Sequence, residues 1–269
     1  DPGYPDYLSS VSLGKINYET FPLKAENNFL PDLQAIPEEI AKRAKFIYVN
    51  YPNNPTGAVA TAAFYEELVA WAKKYEVGVV SDFAYGALGA DGYENPSFLS
   101  TPGAKDVGIE LYTFSKTFNM AGWRLAFAAG NEQLIEALNL LQDHLFVSIF
   151  PAIQDAGAVA LLDEKAKAAI AGLNQKYNER RHAFVQAAEK IGWHAFESKG
   201  SFYAWMPVPE GDDSESFADL LLNEAHVAVA PGKGFGEQGD GYVRIGLLVE
   251  PDRLVEAVER INKLKLFEK

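Results

Sequence analysis

The chain has 269 residues, 48% hydrophobic and 23% charged, and its 37 acidic against 24 basic residues leave a net charge of -13. These are the proportions of a globular chain with room for one large domain and a smaller companion, and the negative field argues against nucleic acid as a partner. With no cysteine and with four histidines in no pair of ligand spacing, disulfides, thiolate sites and cysteine nucleophiles are excluded and metal catalysis has little support; no apolar run reaches membrane-spanning length. A cytoplasmic setting is the expectation.

The opening "DPGYPDYL" has no initiator methionine, no basic n-region and no apolar h-region. It reads as mid-domain sequence, so an N-terminal part of a parent protein is expected to precede it. From residue 45 the pattern is regular. "KFIYVN" is a short β-rich run, "TAAFYEELVAWAKKY" carries Phe64, Leu68 and Trp71 at helical spacing, and "VGVVSDF" is a second apolar run. After a loop rich in Gly, Pro and Ser comes "IELYTFS". Continuous apolar strands joined by crossovers predict an α/β fold: a mainly parallel sheet covered by helices.

Near residue 164 the character changes. A long amphipathic helix with Ile170, Leu173, Tyr177, Phe184, Ala188 and Ile191 on one stripe leads away from the sheet, so the expected domains are 1–164 and 165–269. The second reads as a small α/β domain: strand "GSFYAWMPV", helix "SESFADLLLNEAH", strands "VAVAP" and "YVRIGLLV", and a last helix with Pro251 in its first turn and Leu254, Val258 and Ile261 as its buried stripe.

In open α/β sheets the ligand sits beyond the carboxyl ends of the strands. Asn54 follows the first run in "YPNNPTG", Asp82 ends the second with Tyr85 close behind, and Ser115 and Lys116 follow the third. Each has a plainer reading by itself: "NNPTG" as a turn, Asp82 as a cap, Lys116 as a solvated surface residue, Arg244 as the wet face of an edge strand. Together they supply an amine, a carboxylate, phenol and amide donors, hydroxyls and a guanidinium, which is the set a pyridoxal phosphate site needs.

The succession "NNPTG", "SDFAYG", "SKTFNMAGWR" and "YVRIG" resembles the class I/II aminotransferases among the fold-type-I pyridoxal-phosphate enzymes. The wording of "DFAYG", "LYTFSKTFNMAGW" and "QDHLFVS" most resembles bacillar aminotransferases that regenerate methionine from its 2-oxo acid. The resemblance implies an aspartate-aminotransferase-like large domain, pyridoxal 5'-phosphate as cofactor, an amino acid and a 2-oxo acid as ping-pong substrates, and a cytoplasmic homodimer without metal, membrane or nucleic acid. It makes Lys116 the lysine that bonds the cofactor and then carries the proton, and Asp82 the partner of the ring nitrogen. Asn54 and Tyr85 would bond the phenolate oxygen. Thr113, Ser115 and Arg124 would hold the phosphate, Tyr4 would stack on the ring, and Arg244, with Asn54 beside it, would grip the substrate carboxylate.

Segment 146–162 contains no Lys or Arg, which argues against a clamp for a second carboxylate, while Phe146, Phe150, Phe202 and Tyr203 favour an apolar or aromatic side chain, and the resemblance adds a methionine-like one. Gly234, Gly236 and Gly239 match G-x-G-x-x-G, but no helix pattern follows, so they read as a flexible loop near the substrate mouth. A carbon-sulfur β-lyase on the same scaffold, and a non-catalytic regulatory or dimerisation module, stay open as alternatives. The family's upstream phosphate-binding loop does not precede Tyr4, so these residues alone are expected to expose apolar surface, to bind cofactor weakly and to show no transaminase activity.

Overall fold

The computed structural model describes residues 1–267. Residues 33–52 and 60–174 make one compact unit; residues 1–32 and 53–59 join those from Gln175 onward in another. The division falls inside the long helix Glu164–Lys190. No helix among the described residues is long and apolar enough to cross a membrane.

The first unit is built on a sheet of β1 (Phe46–Asn50), β2 (Gly78–Asp82), β3 (Gly108–Thr113) and β4 (Ala126–Gly130), in that spatial order. β1, β2 and β3 are parallel and β4 is antiparallel to β3. The expected strand, helix, strand passage is present. Helix Ala62–Tyr75 starts where the Thr61 hydroxyl accepts the Phe64 N–H, and stops where Glu76 turns left-handed. Phe64, Leu68 and Trp71 are buried on one stripe with Ala72, and the complete burial of Leu68 stabilises the unit by about 2 kcal/mol.

β4 has no counterpart in the sequence expectation. Three of the five residues Ala126–Gly130 are alanine, with little intrinsic strand preference, and pairing along β3 from Thr113↔Ala126 to Ile109↔Gly130 decides their conformation. Helices Glu132–Leu145 and Pro151–Leu162 follow. Their surroundings leave Leu140, Leu141, Leu145, Phe146, Phe150 and Leu162 exposed, as are Phe46 and Tyr48 on β1.

The second unit holds β5 (Tyr203–Pro207), β6 (Ala230–Pro231) and β7 (Tyr242–Gly246), ordered β5-β7-β6 and antiparallel throughout. Its core gathers Phe184, Trp193, Met206, Phe217, Leu221, Val243 and the stripe Leu254, Val258 and Ile261 of helix Pro251–Asn262. Trp193 is wholly inside and its indole N–H donates to the Pro207 carbonyl at 2.7 Å, so its one polar group is satisfied. The stretch "SESFADLLLNEAH" is helical over Ser214–Leu220, widens to a π-turn over Leu221–Ala225, and ends at His226 with φ 55°. Buried Arg181 donates to the carbonyls of Ser201 at 2.7 Å and of Gly200 and Tyr203 at 3.4 Å, which pins the turn entering β5.

Candidate active site

In the first unit, parallel register aligns strand ends: Asn50 lies opposite Asp82, and Asp82 opposite Leu111. Asp82 closes β2, half-buried. Its Oδ1 accepts the Ala84 N–H at 3.1 Å, and its backbone carbonyl accepts from the Asn50 side-chain amide at 3.0 Å. Tyr85 is buried three residues on.

β3 ends at Thr113, whose hydroxyl caps the single turn Phe114–Thr117 by accepting the Ser115 N–H. The same hydroxyl is 2.9 Å from Ser115 Oγ and 3.3 Å from the Leu125 carbonyl. Capping chemistry therefore places two hydroxyls side by side at the strand end. Lys116 lies in that turn, half-buried, its Nζ 5.7 Å from the centre of the Tyr85 ring. The turn is held from below by the Tyr112 hydroxyl, which donates to Thr117 Oγ1 at 2.9 Å. Arg124 is exposed and left-handed (φ 54°), with Nη1 donating to the Ala121 carbonyl at 2.8 Å.

The opposite face of β2 and β3 carries a carboxylate that the sequence did not single out. Glu110 is buried and accepts from Ser97 Oγ at 2.7 Å, Phe98 N at 2.8 Å and Ser81 Oγ at 3.4 Å. Burial pushes its carboxyl above the usual range, against the lowering effect of those hydrogen bonds.

In the second unit, Asn53 and Asn54 are buried in a tight turn. Asn53 Oδ1 accepts from the Thr56 hydroxyl and N–H, and Gly57 N donates to the Asn53 carbonyl at 2.8 Å. Gly57 (φ 70°) lies so close to Ser198 that a Cβ would fall 2.0 Å from its Oγ. Asn54 Oδ1 accepts from Arg244 Nη1 at 2.6 Å. Arg244 is in the central strand β7, which answers the edge-strand alternative. Its guanidinium carbon is 4.3 Å from the Tyr203 ring centre and 4.6 Å from that of Phe235.

Tyr4 is 40% exposed and meets Tyr7 edge-on at 5.7 Å. Of the aromatics expected to favour an apolar substrate, Phe202 and Tyr203 are buried, whereas Phe146 and Phe150 are 70% and 68% exposed.

The donor set of the first unit suits pyridoxal phosphate on its chemistry: paired hydroxyls and a guanidinium for a phosphate, an amine beside a phenol, and a carboxylate at a neighbouring strand end. The fold and this set define a fold-type-I architecture. Residues 1–261 match the family model described as aminotransferase class I and II. The chain is 57% identical over 267 residues to the L-glutamine--4-(methylsulfanyl)-2-oxobutanoate aminotransferase of Bacillus subtilis, covering 99% of this chain and 67% of that protein. It is 48% identical over 268 residues to the LL-diaminopimelate aminotransferase of Aquifex aeolicus, covering 99% and 68%. The solved structure of substrate-bound BacF from Bacillus subtilis superposes with a TM-score of 0.93 at 45% identity, covering 98% of this chain and 67% of that one. The chain thus spans about two thirds of the length of the relatives it matches. It belongs to the class I and II aminotransferases, pyridoxal-5'-phosphate-dependent enzymes that move an amino group between an amino acid and a 2-oxo acid.

Proposed function

We propose that this aminotransferase acts on a methionine-like, apolar or aromatic amino acid and its 2-oxo acid, with Lys116 as the catalytic base. The carrying observation is the capped turn after β3, where Thr113 and Ser115 sit 2.9 Å apart immediately before Lys116. Bound pyridoxal phosphate supplies a cationic ring that accepts the electron pair left on the substrate α-carbon. Lys116 would hold the cofactor through its Nζ, and the same amine, when free, would act as the base that takes the proton from the substrate α-carbon. The Asp82 carboxylate keeps the ring nitrogen protonated. Thr113, Ser115 and Arg124 would hold the phosphate, Tyr85 and Asn54 would serve as donors to the phenolate oxygen, and Tyr4 would be the aromatic partner of the ring. Arg244 grips the carboxylate common to both substrates, its planar fork matching that group.

Two observations support the side-chain class: the lack of any Lys or Arg in residues 146–162, and the methylsulfanyl 2-oxo acid in the name of the Bacillus subtilis relative. The same reading takes the protein as a cytoplasmic homodimer; the apolar side chains exposed on helices Glu132–Leu145 and Pro151–Leu162 support the dimer. A stopped-flow panel of amino donors against the cofactor-loaded enzyme tests the substrate class: methionine, leucine and aromatic donors outpace aspartate. Aspartate as the best donor overturns it, and pyruvate with ammonia as products would indicate a β-lyase instead.

A further inference from the structure

The glycine-rich loop before β7 is left without a task by the transamination chemistry, yet it is tightly built. Gly232–Phe235 and Glu237–Gly239 are consecutive 3-10 turns separated by Gly236 at φ 129°. A Cβ at Gly232 would fall 2.0 Å from the Gly239 carbonyl oxygen, and one at Gly239 would fall 2.2 Å from that of Gly232. Two strands of this loop therefore touch backbone to backbone, which only glycine permits. The close packing carries Phe235 inward: it is 9% exposed, edge-on to Trp205 at 6.1 Å, and its ring centre is 4.6 Å from the Arg244 guanidinium carbon. Tyr203 reaches the same guanidinium from β5. Arg244 pairs with Trp205 in the β5-β7 ladder, so Tyr203, two residues from Trp205, is its diagonal neighbour on one face of the sheet, with its ring centre 4.3 Å away.

We propose that Tyr203 and Phe235 are positioning residues for the substrate carboxylate, and that the glycine loop exists to hold Phe235 in that place. The proposal rests on the reading of Arg244 as the carboxylate-binding residue. A guanidinium is planar, stacks on aromatic rings through its faces and bonds carboxylates through its edge. Two rings against the group, with Nη1 held by Asn54 Oδ1 at 2.6 Å, leave it little freedom to rotate. The fork is thereby set in one plane before substrate arrives, so the ordering of a long side chain is not charged against binding. The observed contact of both rings is with the Arg244 guanidinium, so they act through it. Their effect falls on the affinity for any substrate that carries the carboxylate, donor and acceptor alike, and leaves the chemical step unchanged.

The test is steady-state kinetics of the cofactor-loaded enzyme with methionine and with a 2-oxo acid, for Phe235→Leu, Tyr203→Leu, Phe235→Tyr, Tyr203→Phe and Arg244→Gln. The expected result is that each leucine variant raises both KM values by about tenfold, the worth of ordering one long side chain. In those variants kcat stays within about threefold and the visible spectrum of the lysine-bound cofactor is unchanged. The ring-retaining variants Phe235→Tyr and Tyr203→Phe keep wild-type KM values. If Arg244→Gln leaves both KM values unchanged, the carboxylate reading itself fails. If Arg244→Gln raises them while both leucine variants match wild type, the positioning role is overturned with that reading intact. Loss of the folded state in both leucine variants would assign the rings to the core and overturn the proposal equally.

Discussion

Two clusters of polar side chains, one in each unit, are assembled on different principles. In the parallel-sheet unit the groups lie at strand ends. Thr113, Ser115 and Lys116 fall within four consecutive residues, and a single cap hydrogen bond orders them. In the antiparallel unit Arg244 is in mid-strand, and what surrounds it comes from four separated places: Asn54, Tyr203, Phe235 and β7 itself. A local cluster tolerates change in distant packing because its geometry is dictated by neighbours in sequence. A dispersed cluster depends on every turn that delivers a member, and Gly57 beside Ser198 and the glycine loop beside Arg244 are such turns.

The most severe break is on the local side. Lys116→Ala should lower turnover by about 10^4-fold while circular dichroism stays unchanged, since the role proposed for the half-buried side chain is that of a base rather than of packing. The visible band of the lysine-bound cofactor should vanish with it; an intact band would move the assignment to another lysine. Asp82→Ala comes next. Turnover should fall by roughly 10^2 to 10^3-fold in a folded protein, because a neutral ring is a poor electron sink. Near-wild-type turnover would refute that role.

On the dispersed side, Gly57→Ala should cost about 2–4 kcal/mol in a urea titration, combining a positive φ with a Cβ placed 2.0 Å from Ser198 Oγ. Substrate KM should rise as well, since Asn54, in the displaced turn, accepts the hydrogen bond that holds Arg244. A fall in stability with KM unchanged would show that Arg244 is held independently of residues 53–59 and would weaken the contrast between the two clusters.

The smallest effect concerns Glu110, beneath the strand ends. Its folded-state carboxyl lies above the ordinary value because of burial, so the folded chain holds a proton that the unfolded chain has released. The stability tied to this group is complete below the ordinary carboxyl pKa and declines as pH rises from there through the raised folded value. Glu110→Gln should flatten that part of a stability-versus-pH curve, measured by thermal melting upward from about pH 4. An unchanged slope would mean that the hydrogen bonds from Ser97, Phe98 and Ser81 outweigh burial.

What could be read from the chain alone is what short-range physics controls. Strand and helix periodicity located β1, β2, β3 and the helix Ala62–Tyr75, and the stripe Leu254, Val258 and Ile261 marked the last helix, because burial of one face writes itself into spacing. The hydroxyls beside Lys116 were visible for the same reason, a cap being a contact over two residues. Tertiary structure alone decided that alanine-rich Ala126–Gly130 is a strand, that residues 53–59 group with residues 175 onward, and that Glu110 is buried among hydroxyls. It also decided that Phe235, in a glycine-rich stretch that read as a flexible loop near the substrate mouth, lies against Arg244. Each of these depends on partners tens to hundreds of residues away. Their energies come from desolvation and close approach, which no local spacing records.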